Sequence, residues 1–171
     1  MSTIHLALTG HRPPKLAGYH LDQPYYHNLQ DTLVTIIEQA LQTYDTVWVH
    51  TGLALGADTI WGFAGLQAAH QFPQRVKLHA EVPLLTQAAH WPNLKDRQNW
   101  QTLINHASAE TIYGETYYPA LMQKRNQGMI DHCDQLIAIW DGSSGGTANA
   151  VHYAHSINKP IIYFNPTQFK N

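Results

Sequence analysis

The chain of 171 residues carries 10 Lys and Arg against 12 Asp and Glu, for a formal net charge of -2, and only 13% of its residues are charged against 44% hydrophobic. That length suits one domain with one sizeable core, and the charge balance excludes both a disordered charged tail and the basic excess of a protein that tracks phosphate backbones. Twelve His would carry the net charge to +10 if all were protonated, which makes metal binding the first alternative to weigh.

Short apolar runs alternate with amphipathic stretches along the whole length. The run Ile4-His5-Leu6-Ala7-Leu8-Thr9 reads as a first strand that stops at Gly10, followed by a Pro- and Gly-rich loop to Tyr19. From Asn28 to Tyr44, the residues Leu29, Leu33, Ile36, Ile37, Ala40, Leu41 and Tyr44 follow helical spacing. Thr46 to His50 reads as a second strand ending at Thr51-Gly52, and a small-residue helix covers Ala57 to Ala69. Val76 to Val82 is a third strand closed by Pro83. A helix over Trp91 to Ala107, a short strand at Thr111-Ile112-Tyr113 and a helix over Leu121 to Cys133 come next. Leu136-Ile137-Ala138-Ile139-Trp140 is the most apolar run and the candidate central strand. A glycine loop over Gly142 to Gly146, a helix from Thr147 to Ile157 and a strand from Pro160 to Phe164 complete the order.

Nearly continuous apolar strands separated by helices imply a parallel sheet covered on both faces. No internal repeat, low-complexity segment or linker divides the chain, so residues 1–171 read as a single doubly wound α/β domain. The lone Cys133 cannot form an internal disulfide and suits a reducing compartment. Met1-Ser2-Thr3-Ile4-His5 has no secretory pattern, and no apolar run approaches the ~18 residues of a membrane span. A cytoplasmic protein without membrane contact is the expectation.

In open α/β sheets, ligands bind beyond the carboxyl ends of the strands where the strand order reverses. Three loops at such ends carry suitable residues. Asp141-Gly142-Ser143-Ser144-Gly145-Gly146-Thr147 joins a buried strand to a helix; glycines let backbone N–H groups converge on an anion, and the helix N-terminus adds about half a positive charge. Its ordinary reading is a turn ending in a Thr N-cap. The loop is neither a Walker A sequence, since no Lys follows the last Gly, nor a GxGxxG fingerprint. Thr51-Gly52-Leu53-Ala54-Leu55-Gly56-Ala57-Asp58 allows close approach of a ligand, with Asp58 placed to accept from ribose hydroxyls, although spacing alone favours a helix start with Asp58 in its first turn. Thr9-Gly10-His11-Arg12-Pro13-Pro14-Lys15-Leu16 offers a guanidinium fork for phosphate. Lys124-Arg125-Asn126 adds a basic cluster late in a helix, where cations also favour the C-terminus.

The His residues lack ligand spacing. His152 and His155 stand at i, i+3, but no His-Glu-x-x-His pattern or Cys pair exists, and His5, His50 and His79 fall within strands. No metal site and no cofactor is expected. Cys133 sits beside His132, yet neighbours on a helix point apart, which removes a Cys–His dyad.

The motifs together resemble the YpsA-like family of the SLOG superfamily. They are Thr9-Gly10-His11-Arg12-Pro13; Gly52-x-Ala54-x-Gly56-Ala57-Asp58; Pro83 with Gln87 and Trp91; Arg125-Asn126-x-x-Met129-Ile130-Asp131; Asp134-x-Leu136-Ile137-Ala138-x-Trp140-Asp141-Gly142; and Gly145-Gly146-Thr147-x-Asn149-x-Val151-x-Tyr153-Ala154. The resemblance implies a Rossmann-like, doubly wound, mainly parallel sheet in three layers with a pocket for a nucleotide or nucleotide-derived ligand. Its ligand-binding set would be Gly10, His11, Arg12, Thr51, Gly52, Gly56, Asp58, Arg125, Asn126, Asp141, Gly142, Gly145, Gly146, Thr147 and Asn149, with Trp91 a candidate to stack on a base. Relatives in the superfamily often self-associate, so a homo-oligomer is expected. The superfamily also holds phosphoribohydrolases of the Lonely Guy type, whose Gly-Gly-x-Gly-Thr-x-x-Glu signature supplies a carboxylate. Here that position is Ala150, and the neighbouring Asn149 cannot act as a general base. A binding or sensing module is the preferred reading. An N-glycosidic hydrolase or transferase using Asp58 or Asp141, with Glu81 as a further carboxylate near a strand end, is the alternative, and a DNA-processing accessory protein ranks last.

Overall fold

The computed structural model describes residues 1–170. In chain order the elements are β1 (Thr3–Gly10), α1 (Pro24–Ala40), β2 (Thr46–Thr51), α2 (Ala57–Gln71), β3 (Val76–Val82), α3 (Leu94–His106), β4 (Ala109–Ile112), α4 (Leu121–His132), β5 (Gln135–Ile139), α5 (Gly146–Ser156) and β6 (Ile161–Phe164), with short 3₁₀ turns at Pro13–Lys15 and Pro166–Phe169. The strands form one sheet in the order β4-β3-β2-β1-β5-β6, every pairing parallel. The chain winds outward from β1 to β4, then returns to lay β5 on the other side of β1. Winding therefore reverses between β1 and β5, and the crevice at their carboxyl ends is where such a sheet receives a ligand.

The layers follow from the apolar pattern. On one face Leu6, Leu8, Val47, Val49, Leu78, Ile137 and Ile139 pack with Leu29, Leu33 and Ile37 of α1, Trp61 of α2 and Leu103 of α3. On the other, Ala7 and Leu136 meet Met129, Ile130 and Cys133 at the end of α4 and Ala150 and Ala154 of α5. Helix α2 is apolar around most of its circumference because it lies between the sheet and its neighbouring helices. A side chain at Gly65 would come within 2.9 Å of Val49, so the missing side chain sets how closely α2 approaches the sheet.

Element boundaries differ from the sequence expectation where capping decides them. Helix α1 begins at Pro24 rather than Asn28, since proline fits the first helical turn and Tyr25 and Tyr26 bury on the core. It ends at Ala40, beyond which Thr43 and Tyr44 close turns onto the Ala40 carbonyl. Helix α3 starts three residues later than Trp91, where the Asn93 side chain accepts from the Lys95 N–H. Strand β4 occupies Ala109–Ile112, two residues ahead of the expected position. The cluster Lys124-Arg125-Asn126 lies in the first half of α4, not near its end; Arg125 and Asn126 line the crevice, while exposed Lys124 donates to the Tyr113 carbonyl (3.3 Å).

Candidate functional site

At the end of β1 the chain turns sharply against the start of α2. A Cβ at Gly10 would lie 2.5 Å from that of Ala57, so only glycine permits this approach. The next residue joins three elements: the His11 N–H donates to the Ile139 carbonyl (3.1 Å), and the His11 carbonyl accepts from the Ala57 N–H (3.2 Å). Gly56, at φ +94°, cannot carry a side chain either, because its Cβ would meet the His11 carbonyl at 2.6 Å.

The His11 ring is buried and reaches across the crevice, with Nε2 2.8 Å from Asp141 Oδ1. That carboxylate also accepts from the Ser143 N–H at 2.8 Å. Hydrogen bonds from Ser143, side chain first and then main chain, and from His11 hold the Asp141 carboxyl well below the usual carboxylate range. Trp140 Nε1 donates to the Ser143 carbonyl (2.8 Å), and Lys15 Nζ donates to Ser143 Oγ (2.6 Å) and the Ser144 carbonyl (3.3 Å). The glycine loop is thus fixed from several sides before any ligand arrives.

Gly142 (φ +87°) and Gly145 (φ +138°) occupy backbone conformations that favour glycine. Gly145, not Thr147, caps α5, and no side chain supplies the capping bond. The N–H groups at the start of α5 therefore have no partner within the helix. A Cβ built on Gly146 would meet nothing within 4 Å. The mouth of α5 is open.

Below it lies a cavity of about 430 Å³ whose lining includes Arg12, Lys15, Asp58, Arg125, Asn126 and Gly145 to Thr147. Arg125 is 2% exposed; its guanidinium donates to the Gly52 carbonyl and, at 3.3 Å, to the Glu81 carbonyl, while Nε donates to Asn126 Oδ1 at 2.8 Å. A Cβ at Gly52 would sit 2.3 Å from Arg125 Nη1 and 2.8 Å from Asp58 Oδ2, so glycine there lets the two charged groups face each other. Thr51 Oγ1 donates to the Asp58 carbonyl (2.8 Å), securing the first turn of α2. Burial pushes the Asp58 carboxyl up, and the nearby charges of Arg125 and then Arg12 oppose that shift. Burial likewise lowers the pKa of the Arg125 guanidinium, which Asp58 supports in its charged form.

The structure thus brings Gly10, His11, Arg12, Asp58, Arg125, Asn126, Gly145, Gly146 and Thr147 to one cavity wall. Thr51, Gly52 and Gly56 stand behind it as supports, and Asp141 and Gly142 shape the loop without lining the cavity. Asn149 is exposed on α5 and does not line the cavity. Trp91 packs against the core, which removes it as a base-stacking residue there. Glu81 is 0% exposed and bound to His50 and Tyr113, away from the cavity wall. Thr9, Pro14, Lys15, Ala54 and Ser144, all within the three loops quoted above, line the cavity too, as does Met122, which no motif included. Met122 had a usable signal, since it lies three and four residues before Arg125 and Asn126 on the same helical face.

Cys133 is buried, donates to the Ile130 carbonyl and is pushed up to about 12 by burial, so no thiolate dyad forms with His132. His152 lies edge-on to Trp140 while His155 bonds the Tyr163 hydroxyl, so the i, i+3 pair does not converge.

Comparison with known proteins agrees with this architecture. A Bacillus subtilis (strain 168) relative, described as an uncharacterized SPbeta prophage-derived protein YoqJ, is 30% identical over 149 residues, covering 78% of this chain and 84% of its own length. A UPF0398 protein of Bacillus pumilus (strain SAFR-032) is 25% identical over 148 residues, covering 83% and 76%. Among solved structures, DNA processing protein A from Helicobacter pylori, a single-stranded DNA-binding protein, superimposes with a TM-score of 0.64 at 15% identity over 98% of this chain and 71% of that one. The Streptococcus pneumoniae DprA structure gives 0.62 at 14% identity over 94% of this chain, which spans half of that protein's length. These two likenesses establish the fold. The family model YpsA, described as the YspA SLOG family, matches residues 6–169, and the chain belongs to that family.

Proposed function

We propose that the chain is a cytoplasmic binding or sensing module for a nucleotide or nucleotide-derived ligand, with a phosphate seated on the open N-terminus of α5. The observation that carries this reading is Gly146. Neither a positive φ nor a packing contact requires glycine there, yet Gly146 lines the cavity with Gly145 and Thr147 at the start of α5, where the first N–H groups of a helix lack intrahelical partners. Arg12 and Lys15 add positive charge at the same mouth, and Asp58 lies deeper, where a carboxylate accepts from ribose hydroxyls. A cavity of about 430 Å³ is within the usual range for small-molecule sites.

The test is calorimetry of the full chain against AMP, ADP, ADP-ribose, NAD and cyclic nucleotides, with single-stranded DNA as a competing ligand at low and high salt. Saturable binding of a nucleotide that Gly146→Ala weakens at least tenfold, in a variant that stays folded, supports the reading. Salt-sensitive binding of single-stranded DNA alone would replace it, the ligand class raised by the H. pylori neighbour.

A second reading rests on Asp58, a cavity carboxyl pushed up by burial and so able to hold a proton at higher pH than an exposed Asp. It is N-glycosidic cleavage of a nucleoside or nucleoside monophosphate. Ala150, in place of the signature carboxylate, weighs against the hydrolysis performed by Lonely Guy enzymes. Release of free base that Asp58→Asn abolishes would favour this reading over simple binding.

A further inference from the structure

Outside the cavity, the sheet carries a second polar cluster that the nucleotide reading does not use. His50 on β2 and His79 on β3 are lateral partners in register, and Glu81 lies two residues beyond His79 on the same face. The His50 and His79 rings stack with centroids 4.7 Å apart. His50 Nδ1 lies 2.7 Å from Glu81 Oε1, and His79 Nε2 lies 3.8 Å from the same oxygen. One ligand atom from each residue falls within 4.8 Å of the others. His50 and Glu81 are buried, while the His79 side chain is 19% exposed.

We propose that His50, His79 and Glu81 form a binding site for one divalent transition-metal ion of the zinc class. The donor set of two imidazoles and one carboxylate is that of an open, three-ligand zinc site. Ligand atoms about 2.1 Å from a tetrahedral ion stand about 3.4 Å apart. The separations of 2.7 and 3.8 Å bracket that spacing, so small rotations of His79 and Glu81 make room for the ion.

The outer partners are already present. Tyr113 donates its hydroxyl to Glu81 Oε2 at 2.8 Å, leaving Oε1 for the ion. His5 Nδ1 lies 2.8 Å from His50 Nε2. With Glu81 accepting, His50 carries its hydrogen on Nδ1 and accepts at Nε2 from His5. On coordination that hydrogen moves to Nε2 and is donated to His5 Nδ1, while His5 keeps one hydrogen, now on Nε2. Both rings stay neutral, and the ligating imidazole gains the outer-sphere acceptor that orients such ligands. The Thr111 hydroxyl, 2.8 Å from His79 Nε2, gives up that nitrogen to the ion.

The test titrates chelator-stripped full-length protein with Co²⁺, whose visible absorption reports low coordination number, then displaces it with Zn²⁺. The expected result is one Co²⁺ per chain, released by Zn²⁺, with affinity at least tenfold lower in His79→Gln and in Glu81→Gln and unchanged in a His152→Gln/His155→Gln control. His79 is partly exposed, so its variant carries the test if Glu81→Gln fails to fold. Absence of saturable absorption in folded wild type overturns the proposal. So does binding that His79→Gln retains in full.

Discussion

Arg125 shows how one side chain joins fold to site. Truncating it would strand the Gly52 carbonyl and leave buried Asp58 without its nearest positive charge. Arg125→Ala is expected to cost about 3 kcal/mol in urea unfolding, the scale for breaking a buried charge arrangement. Arg12→Ala, at an exposed position, should stay within about 0.5 kcal/mol while weakening nucleotide binding. Gly10→Ala forces a Cβ against Ala57 and is expected to cost about 1–3 kcal/mol by the same measurement. Asp141 sets a pH dependence of known sign. Its carboxyl titrates lower in the folded than in the unfolded chain, so its favourable contribution is present above pH of about 4 and fades as pH falls through the folded value. Urea stability followed from pH 5 downward should lose this component in Asp141→Asn. Cys133 should resist a thiol reagent in native buffer and react at once in denaturant.

At the scale of elements, legibility depended on which local force sets each boundary. Strand β5 was plain because Leu136 to Ile139 are fully buried, as an interior parallel strand requires, although it lies one place in from the sheet edge rather than at the centre. Strands β2 and β3 were located correctly, but their alternation carried more information than their apolar content. Thr46, Trp48 and His50 alternate with Val47 and Val49, and Lys77, His79 and Glu81 alternate with Val76, Leu78 and Ala80. That period-two polar pattern belongs to a sheet face without a full apolar cover. The expectation of continuous apolar strands overlooked it, along with the cluster at His50, His79 and Glu81. His50 and His79 were legible as strand residues, but only the register of β2 on β3 brings them level with each other. Helix ends were missed where proline or an asparagine cap decides them, as at Pro24 and Asn93.

For the whole molecule, the winding reversal between β1 and β5 makes the site. It sets the loop after β1 beside the glycine loop before α5, and the first half of α4 supplies Arg125 and Asn126 from the far side. Strand–helix alternation and the three loops made this arrangement legible, whereas the bonds from Lys15 to Ser143 and Ser144 come from tertiary contact alone. The most direct test follows backbone amide resonances as the tightest-binding nucleotide from the calorimetric panel is titrated in. The account predicts that Gly145, Gly146 and Thr147 shift first and together, and that Gly146→Ala removes those shifts without unfolding the protein. Unmoved amides in that loop, with shifts confined to residues outside the cavity, would contradict it.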